Sequence, residues 1–433
     1  MESDKLLSSP DFLKLGNNPF QQKKTKVLML SDHPLSTSGV GTQARWLING
    51  LLSTGRYTFR CFGGAVKHED YRTIVVNDDF IIKPVDGFGN RDMLRQTLAI
   101  EKPDVLLIFN DPRFFIWVWE MEDEIHQICP IAYWHLWDNA PWPEFNRVLY
   151  ESTDLVNCIN YPTYEMVHER FPEKTNFIPH ALPQEVFRPL SDEDRKKHKL
   201  NILGSQREND FVAIWVSRNA RRKMPSDVIV SWSMFIKELE KTYGHTRATL
   251  IMHTDPNDHE GPNLHHVLDI TGMKKNVVFS NQRFSFEEMN VLYNVSDVVL
   301  SRSCAEGFGL STLEAMQAGL PAIGLKTGGQ TRQLVNHNTG EQYGIALDPE
   351  VKSLVGTQTI PYIYEDYISH ETFANSIMKM YKIHPDDRRL IGERARKYVL
   401  EEFNITKMVD DWDKSLITLS QRQKKSKWSV KPL

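Results

Sequence analysis

The sequence predicts an α/β protein of two domains, each built on a parallel sheet. Three observations lead there. The chain has 433 residues, beyond the size at which a single core keeps growing, so two domains of roughly 200 residues each are expected. Short apolar runs alternate with stretches of helical period, the pattern of parallel strands buried on both faces. That alternation occurs in two series, separated by a polar, proline-containing stretch from Pro179 to about Asp210.

The first series follows a polar extension with a Gly16-Asn17-Asn18-Pro19 break and a Lys23-Lys24 pair. Val27-Leu28-Met29-Leu30 is the first candidate strand. A Gly/Ser loop and a helix over Gln43 to Leu52 come next. Further buried strands are expected at Thr58–Phe62, Val105–Phe109, Ile131–Trp134 and Val156–Ile159. The charged run Asp192 to Lys199 reads as a solvated connector. Beyond it a second series opens with Phe211–Val216, followed by Thr249–His253, Val277–Phe279, Val298–Leu300 and Ala322–Leu325. Helical period returns from Phe373 to Leu419, with breaks at Pro385 and near Asn404. The expected organisation is an extension (1–25), an N-terminal domain (26–190), a C-terminal domain (191–405) and a C-terminal helix with a basic tail (406–433).

An apolar fraction of 40% and a charged fraction of 25% are those of a folded chain. The net charge of -4 lacks the broad positive field of non-specific nucleic-acid binders. Cys61, Cys129, Cys158 and Cys304 form no C-x-x-C pair, so neither a zinc site nor a disulfide framework is indicated, and a reducing cytoplasm suits them. The start lacks a basic and apolar leader, and no apolar run reaches the 18 or more residues of a spanning helix. A cytoplasmic protein without a transmembrane segment is expected, with peripheral membrane contact left open.

The sharpest motif is Ser303-Cys304-Ala305-Glu306-Gly307-Phe308-Gly309-Leu310-Ser311-Thr312-Leu313-Glu314, directly after a strand. A glycine-rich turn feeding a helix exposes backbone N–H groups at the positive end of the helix dipole, where a diphosphate is favoured. Glu306 and Glu314 bracket that turn and can serve sugar and ribose hydroxyls. The plain alternative makes Glu306 a dipole-stabilising charge and Glu314 a solvated helix residue. Upstream, Val216-Ser217-Arg218-Asn219-Ala220-Arg221-Arg222-Lys223 ends another strand. A guanidinium and an ammonium there supply charge-assisted bonds to a leaving diphosphate, although a solvated basic turn has the same composition.

These motifs resemble family 4 of the retaining glycosyltransferases (glycosyl transferases group 1). Glu306 and Glu314 meet the family's E-x7-E signature, and Ala318-Gly319-Leu320-Pro321-Ala322-Ile323 with Gly328-Gly329 continues the match. The resemblance implies a GT-B fold, an α/β architecture of two facing Rossmann-like domains with parallel sheets and an interdomain cleft. It also implies transfer of a sugar from a nucleotide diphosphate to a hydroxyl acceptor on a glycan, lipid or small molecule, with retained configuration, no metal and no resident cofactor. Arg218 and Lys223 would hold the diphosphate, Glu306 the donor sugar and Glu314 the ribose, with Phe308, Gly309 and Leu310 lining the donor turn. In the first half, Gly39 and Gly41 in Ser36-Thr37-Ser38-Gly39-Val40-Gly41 permit positive φ and close backbone approach, and resemble the family's glycine loop facing diphosphate and acceptor. His135, at a strand end, resembles the family's sugar-contacting histidine; a structural histidine among aromatics is the alternative. Trp134, Trp137 and Trp142 suit either sugar stacking or core packing. Departures from the family pattern are Ser217 where Gly commonly precedes the Arg, Met224 where Gly follows the Lys, and Arg332 where Glu often follows the glycine pair.

Epimerisation or polymer synthesis on the same architecture, and a nucleotide-sugar-binding protein without turnover, are rival readings. Lys414, Arg422, Lys424, Lys425, Lys427 and Lys431 make the C-terminus basic with no acidic residue after Lys414. An anionic acceptor or surface, including modified bases in DNA, is one reading of it; a solvated tail is the other.

Overall fold

The structure, a computed structural model, describes residues 23–423. β1 (Thr25–Asp32), β2 (Tyr57–Gly64), β3 (Ile74–Asn77), β4 (Phe80–Pro84), β5 (Val105–Phe109), β6 (Ile131–His135), β7 (Leu155–Cys158) and β8 (Thr175–Phe177) form one sheet. Its order is β3-β4-β2-β1-β5-β6-β7-β8. The central strands pair in parallel, and β3 runs antiparallel at the edge. β9 (Phe211–Val216), β10 (Ala248–His253), β11 (Val277–Ser280), β12 (Val298–Ser301), β13 (Ala322–Leu325) and β14 (Gly344–Leu347) form a second sheet. It is ordered β11-β10-β9-β12-β13-β14, with every pairing parallel. β15 (Val351–Val355) and β16 (Ile363–Tyr367) make an antiparallel hairpin. The continuous apolar runs read as doubly covered strands are these strands: Val27 to Leu30 and Val105 to Phe109 have no exposed surface at all.

The chain divides into two compact units. One holds residues up to His135, Val148–Val156 and the end from Val409; the other holds Leu136–Arg147 and Asn157–Met408. The chain thus passes between units several times, where the sequence reading drew one boundary at 190/191. Side-chain packing accounts for the crossings. Trp412 lies edge-on to Trp134, centroids 5.0 Å apart, and Trp134 stacks on Phe109 at 3.8 Å. Burying such rings stabilises by about 2 to 3 kcal/mol each and draws the last helix into the first unit. Asn139 and Arg188, in turn, donate to Tyr364 and Asn290 within the second unit. The second unit's core gathers Trp215, Trp232, Phe235, Leu250 and Phe373 between sheet and helices.

Several local expectations change. Asp192 to Lys199 is no connector but part of the helix Asp192–Leu203, capped by Ser191, with Asp192, Glu193 and Asp194 favourably placed in its first turn. The first helix starts at Gly39, four residues earlier than predicted, because Ser38 accepts from the Gly41 N–H and caps it. Helices His370–Lys382, Pro385–Glu402 and Ile405–Gln423 break where Pro385 and Asn404 predicted. The N-terminal extension up to Gln22 and the cations Lys424, Lys425, Lys427 and Lys431 lie outside the described residues. Among the described residues, no helix is long and apolar enough to cross a membrane. All four cysteines are free and buried.

Candidate functional site

Because β9 and β12 are neighbours in one parallel sheet, the turns leaving their carboxyl ends lie side by side. After β9, Arg221–Lys223 form one 3-10 turn, and Met224 (φ 54°, ψ 42°) leads into the helix Pro225–Tyr243. After β12, residues 302–309 lead into the helix Leu310–Gln317. The two turns are laced together. The Cys304 N–H donates to the Arg222 carbonyl at 2.9 Å, and Arg222 Nη1 donates to the Ala305 carbonyl at 3.0 Å.

Lys223 Nζ and Glu306 Oε2 form a buried ion pair, and Ser303 Oγ donates to the same oxygen at 3.1 Å. Burial alone would raise the Glu306 carboxyl; the charges of Lys223 and Arg222 outweigh it and hold the group below its ordinary value. Burial lowers the Lys223 ammonium, against the opposing charges of Glu306 and Asp138. Arg218 lies apart from that pair in its contacts, making a two-pronged bond to Asp258 (2.7 and 3.1 Å) in the loop after β10. Its side chain is 57% exposed. Glu314 accepts from the Tyr293 hydroxyl at 2.6 Å, and burial pushes its carboxyl up to about 7. It is therefore no freely solvated helix residue.

The glycines shape this turn. Gly309 has φ 93° and starts the helix with no side chain capping it, which leaves the end open to an anion. Gly328, at φ 47°, passes beneath: a Cβ there would stand 1.9 Å from the Glu306 carbonyl oxygen. Gly329 donates its N–H to that same carbonyl at 3.0 Å, and Gln333 donates to the Phe308 carbonyl at 2.7 Å. Phe308 is buried edge-on to His180 and Phe403, and Leu310 opens the helix. Glu306, Lys223, Phe308, Gly309 and Leu310 are thus held on two laced turns of one unit.

The other residues singled out in the sequence fare differently. Gly39 and Gly41 lie in the opening turn of a helix, and neither has positive φ, so the expected backbone freedom is not their role. Gly41 is required for space instead: a Cβ would come within 2.3 Å of Ser36 Oγ and 2.5 Å of the His33 carbonyl. Asp32 anchors this loop, accepting from Ser38 Oγ (2.6 Å) and Asn110 Nδ2 (2.5 Å). His135 ends β6 with no exposed surface, its Nε2 2.8 Å from the Tyr150 hydroxyl; burial lowers it to about 3, so the ring is neutral. Trp134 and Trp137 are buried, and Trp142 carries the Arg170 guanidinium on its face at 4.6 Å, which favours packing over sugar stacking. Arg332 stacks on Tyr161 at 3.4 Å.

Sequence reasoning missed Asp258, Tyr293, Asp138 and Glu365. Glu365, on β16, pairs with Arg221 and accepts from the Tyr367 hydroxyl, while the Asp366 N–H donates to the Cys304 carbonyl at 2.8 Å. These partners come from elements remote in sequence, and no local spacing announces them.

Two α/β units with parallel sheets, and a basic turn laced to a glycine-rich helix start, define a protein of the GT-B fold. The family model for glycosyl transferases group 1 matches residues 211–356, within the second unit. N-acetyl-alpha-D-glucosaminyl L-malate synthase of Bacillus anthracis is 23% identical over 282 residues, 63% of this chain and 62% of that protein. The match thus spans less than two thirds of that relative's length. Trehalose synthase of Pyrococcus horikoshii is 30% identical over 123 residues, 28% of this chain and 24% of that protein. Among solved structures, sucrose-phosphate synthase from Thermosynechococcus elongatus superposes with a TM-score of 0.71 at 16% identity, covering 92% of this chain and 100% of that one. Anabaena HepE in complex with UDP-glucose gives 0.65 at 16% identity, covering 91% and 100%. At such identity the likeness is one of fold.

Proposed function

We propose that this chain is a retaining glycosyltransferase that moves a sugar from a nucleoside diphosphate donor to a hydroxyl acceptor. The observation that carries the reading is the Lys223–Glu306 pair, set on laced turns beside an uncapped helix start, with Arg218 on the same basic turn. Cations and a helix N-terminus at one sheet edge stabilise the charge on a departing diphosphate. Glu306, already ionised, has acceptor capacity for donor-sugar hydroxyls, and Glu314 has it for the ribose. With leaving-group charge met by Lys223, Arg218 and the N–H groups of Phe308 and Gly309, the acceptor hydroxyl enters from the face the diphosphate leaves: the anomeric carbon–phosphate oxygen bond breaks as the new carbon–oxygen bond forms, and the hydroxyl proton passes to the departing phosphate oxygen, giving retention. No metal is needed for that charge balance. His135 is assigned to the donor sugar and Gly41 to the phosphate and acceptor side, both on family resemblance.

Uridine nucleotides are the first donors to test, since the HepE structure holds UDP-glucose. Release of nucleoside diphosphate from a panel of nucleotide sugars, with and without candidate acceptors, tests the reading. Proton NMR of the product anomer tests retention. A pure binder would show affinity for the donor and no release.

A further inference from the structure

At the opposite edge of the second sheet, a cavity of about 340 Å³ opens beneath the starts of β12 and β13. Asp297 directly precedes β12 and Pro321 directly precedes β13, whereas the donor turns follow the far ends of β9 and β12. The strands being parallel, the two places are separated by the length of the sheet.

The cavity wall is strongly charged. Two of its cations are matched by carboxylates: Arg389 by Asp192 at 3.0 Å, and Arg388 by Asp297 at 3.4 Å. Three are not. Arg195, Lys196 and Lys199 project from the helix Asp192–Leu203, with Arg195 and Lys199 one turn apart on one face. Arg195 Nε donates to the Asn294 carbonyl and Lys199 Nζ to the Asp210 carbonyl; none of the three has a carboxylate partner among the described residues. Arg388, also on the cavity wall, is buried and engaged: its Nη1 donates to the Met380, Tyr381 and Ile383 carbonyls and its Nη2 to Asp297. Three cations without carboxylate partners on the wall of a cavity whose other charges are already paired leave a surplus of positive charge there, which an anion would offset.

We infer that this cavity binds a phosphate dianion, free or as a monoester, through Arg195, Lys196 and Lys199. A tetrahedral oxyanion accepts from several donors at once and offsets the surplus charge, as a neutral ligand would not. The site is independent of the donor reading, since it shares no residue with it.

Calorimetric titration of the full chain with inorganic phosphate, and separately with glycerol 3-phosphate, tests the inference at ionic strength matched with sodium chloride. One phosphate should bind, and saturating UDP should leave that binding in place. Lys196→Glu reverses an exposed charge without touching the core, and should weaken phosphate at least tenfold at unchanged melting temperature. Arg195→Gln should weaken it in the same direction. Binding of glycerol 3-phosphate with the same sensitivity to Lys196→Glu identifies a monoester as an accepted form of the ligand. Phosphate affinity that survives Lys196→Glu and Arg195→Gln, or is abolished by UDP or by Lys223→Ala, overturns the site.

Discussion

Lys223 and Glu306, 83 residues apart, form a buried ion pair at the junction of two turns that leave adjacent strands. Both side chains are almost excluded from water, at 11% and 12% exposure. A buried pair is weak as a source of net stability, but removing one partner strands the other charge. Lys223→Met or Glu306→Leu alone should therefore destabilise by about 3 to 5 kcal/mol, and the double variant by less than the sum. Denaturant unfolding of the four proteins reads the cycle; additive losses would mean the pair is not coupled.

Glu314 supplies a prediction in pH. Its carboxyl is raised to about 7 by burial, above the roughly 4.3 of an unfolded glutamate. A raised carboxyl contributes stability that is fully present below about pH 4.3 and lost as pH rises through about 7. Glu314→Gln keeps an acceptor for Tyr293 without the charge, so the unliganded variant should be more stable than wild type at pH 8. The difference should vanish near pH 4.5. The same variant should bind nucleoside diphosphate more weakly at pH 8, by about 1.5 to 3 kcal/mol if the carboxylate meets the ribose. Melting curves that coincide from pH 4.5 to 8 would contradict the first claim, and unchanged calorimetric affinity the second.

Met224 occupies a left-handed conformation, φ 54°, that favours glycine. The departure from the family pattern noted in the sequence is thus a backbone strain directly after Lys223. Met224→Gly should stabilise by up to about 1 kcal/mol as judged by thermal unfolding; a loss of that size would show that the Met side chain has a packing role outweighing the strain.

Gly328 and Gly340 both have positive φ, but only Gly328 is crowded. Gly328→Ala places a Cβ against the Glu306 carbonyl and should displace the donor turn, removing nucleotide binding. Gly340→Ala meets nothing within 4 Å and should cost about 1 kcal/mol of stability from backbone strain alone. Equal nucleotide affinity in the two variants would contradict the account of the turn.

Arg218 is bonded to Asp258, yet its guanidinium is half exposed. Such pairs are worth about 0 to 1 kcal/mol, so a diphosphate can draw Arg218 away at little cost. Asp258→Asn should leave UDP affinity unchanged or raise it by no more than about fivefold. A large loss in calorimetry would make Asp258 part of the binding machinery.

The fold was legible where burial is two-sided. The runs at β1, β5, β9 and β12 are apolar throughout, and only a doubly covered strand has that pattern. β3 and β15 were missed because they sit at edges and are largely exposed, which leaves no continuous apolar run. The helix Asp192–Leu203 was missed because only Leu203 is buried, so it lacks an apolar stripe. In the site, Glu306, Lys223 and Glu314 could be named from motifs, but not their partners. That Tyr293 would meet Glu314, or Asp258 meet Arg218, depends on which loops the sheet order brings together. The glycine loop at Gly39 misled because a helix start and a free turn share their residue types, and Ser38 decides between them by capping.

The central claim is that this chain cleaves a nucleotide sugar at the Lys223–Glu306 turn. The direct measurement is nucleoside diphosphate release from UDP-glucose and other nucleotide sugars, by wild type and by Lys223→Ala shown to be folded, in the presence of EDTA. The account predicts turnover by wild type with at least one donor, unaffected by chelation, and a loss of at least a hundredfold in Lys223→Ala, about 2.7 kcal/mol of transition-state stabilisation. Equal turnover by the variant, or activity that EDTA abolishes and magnesium restores, would contradict it.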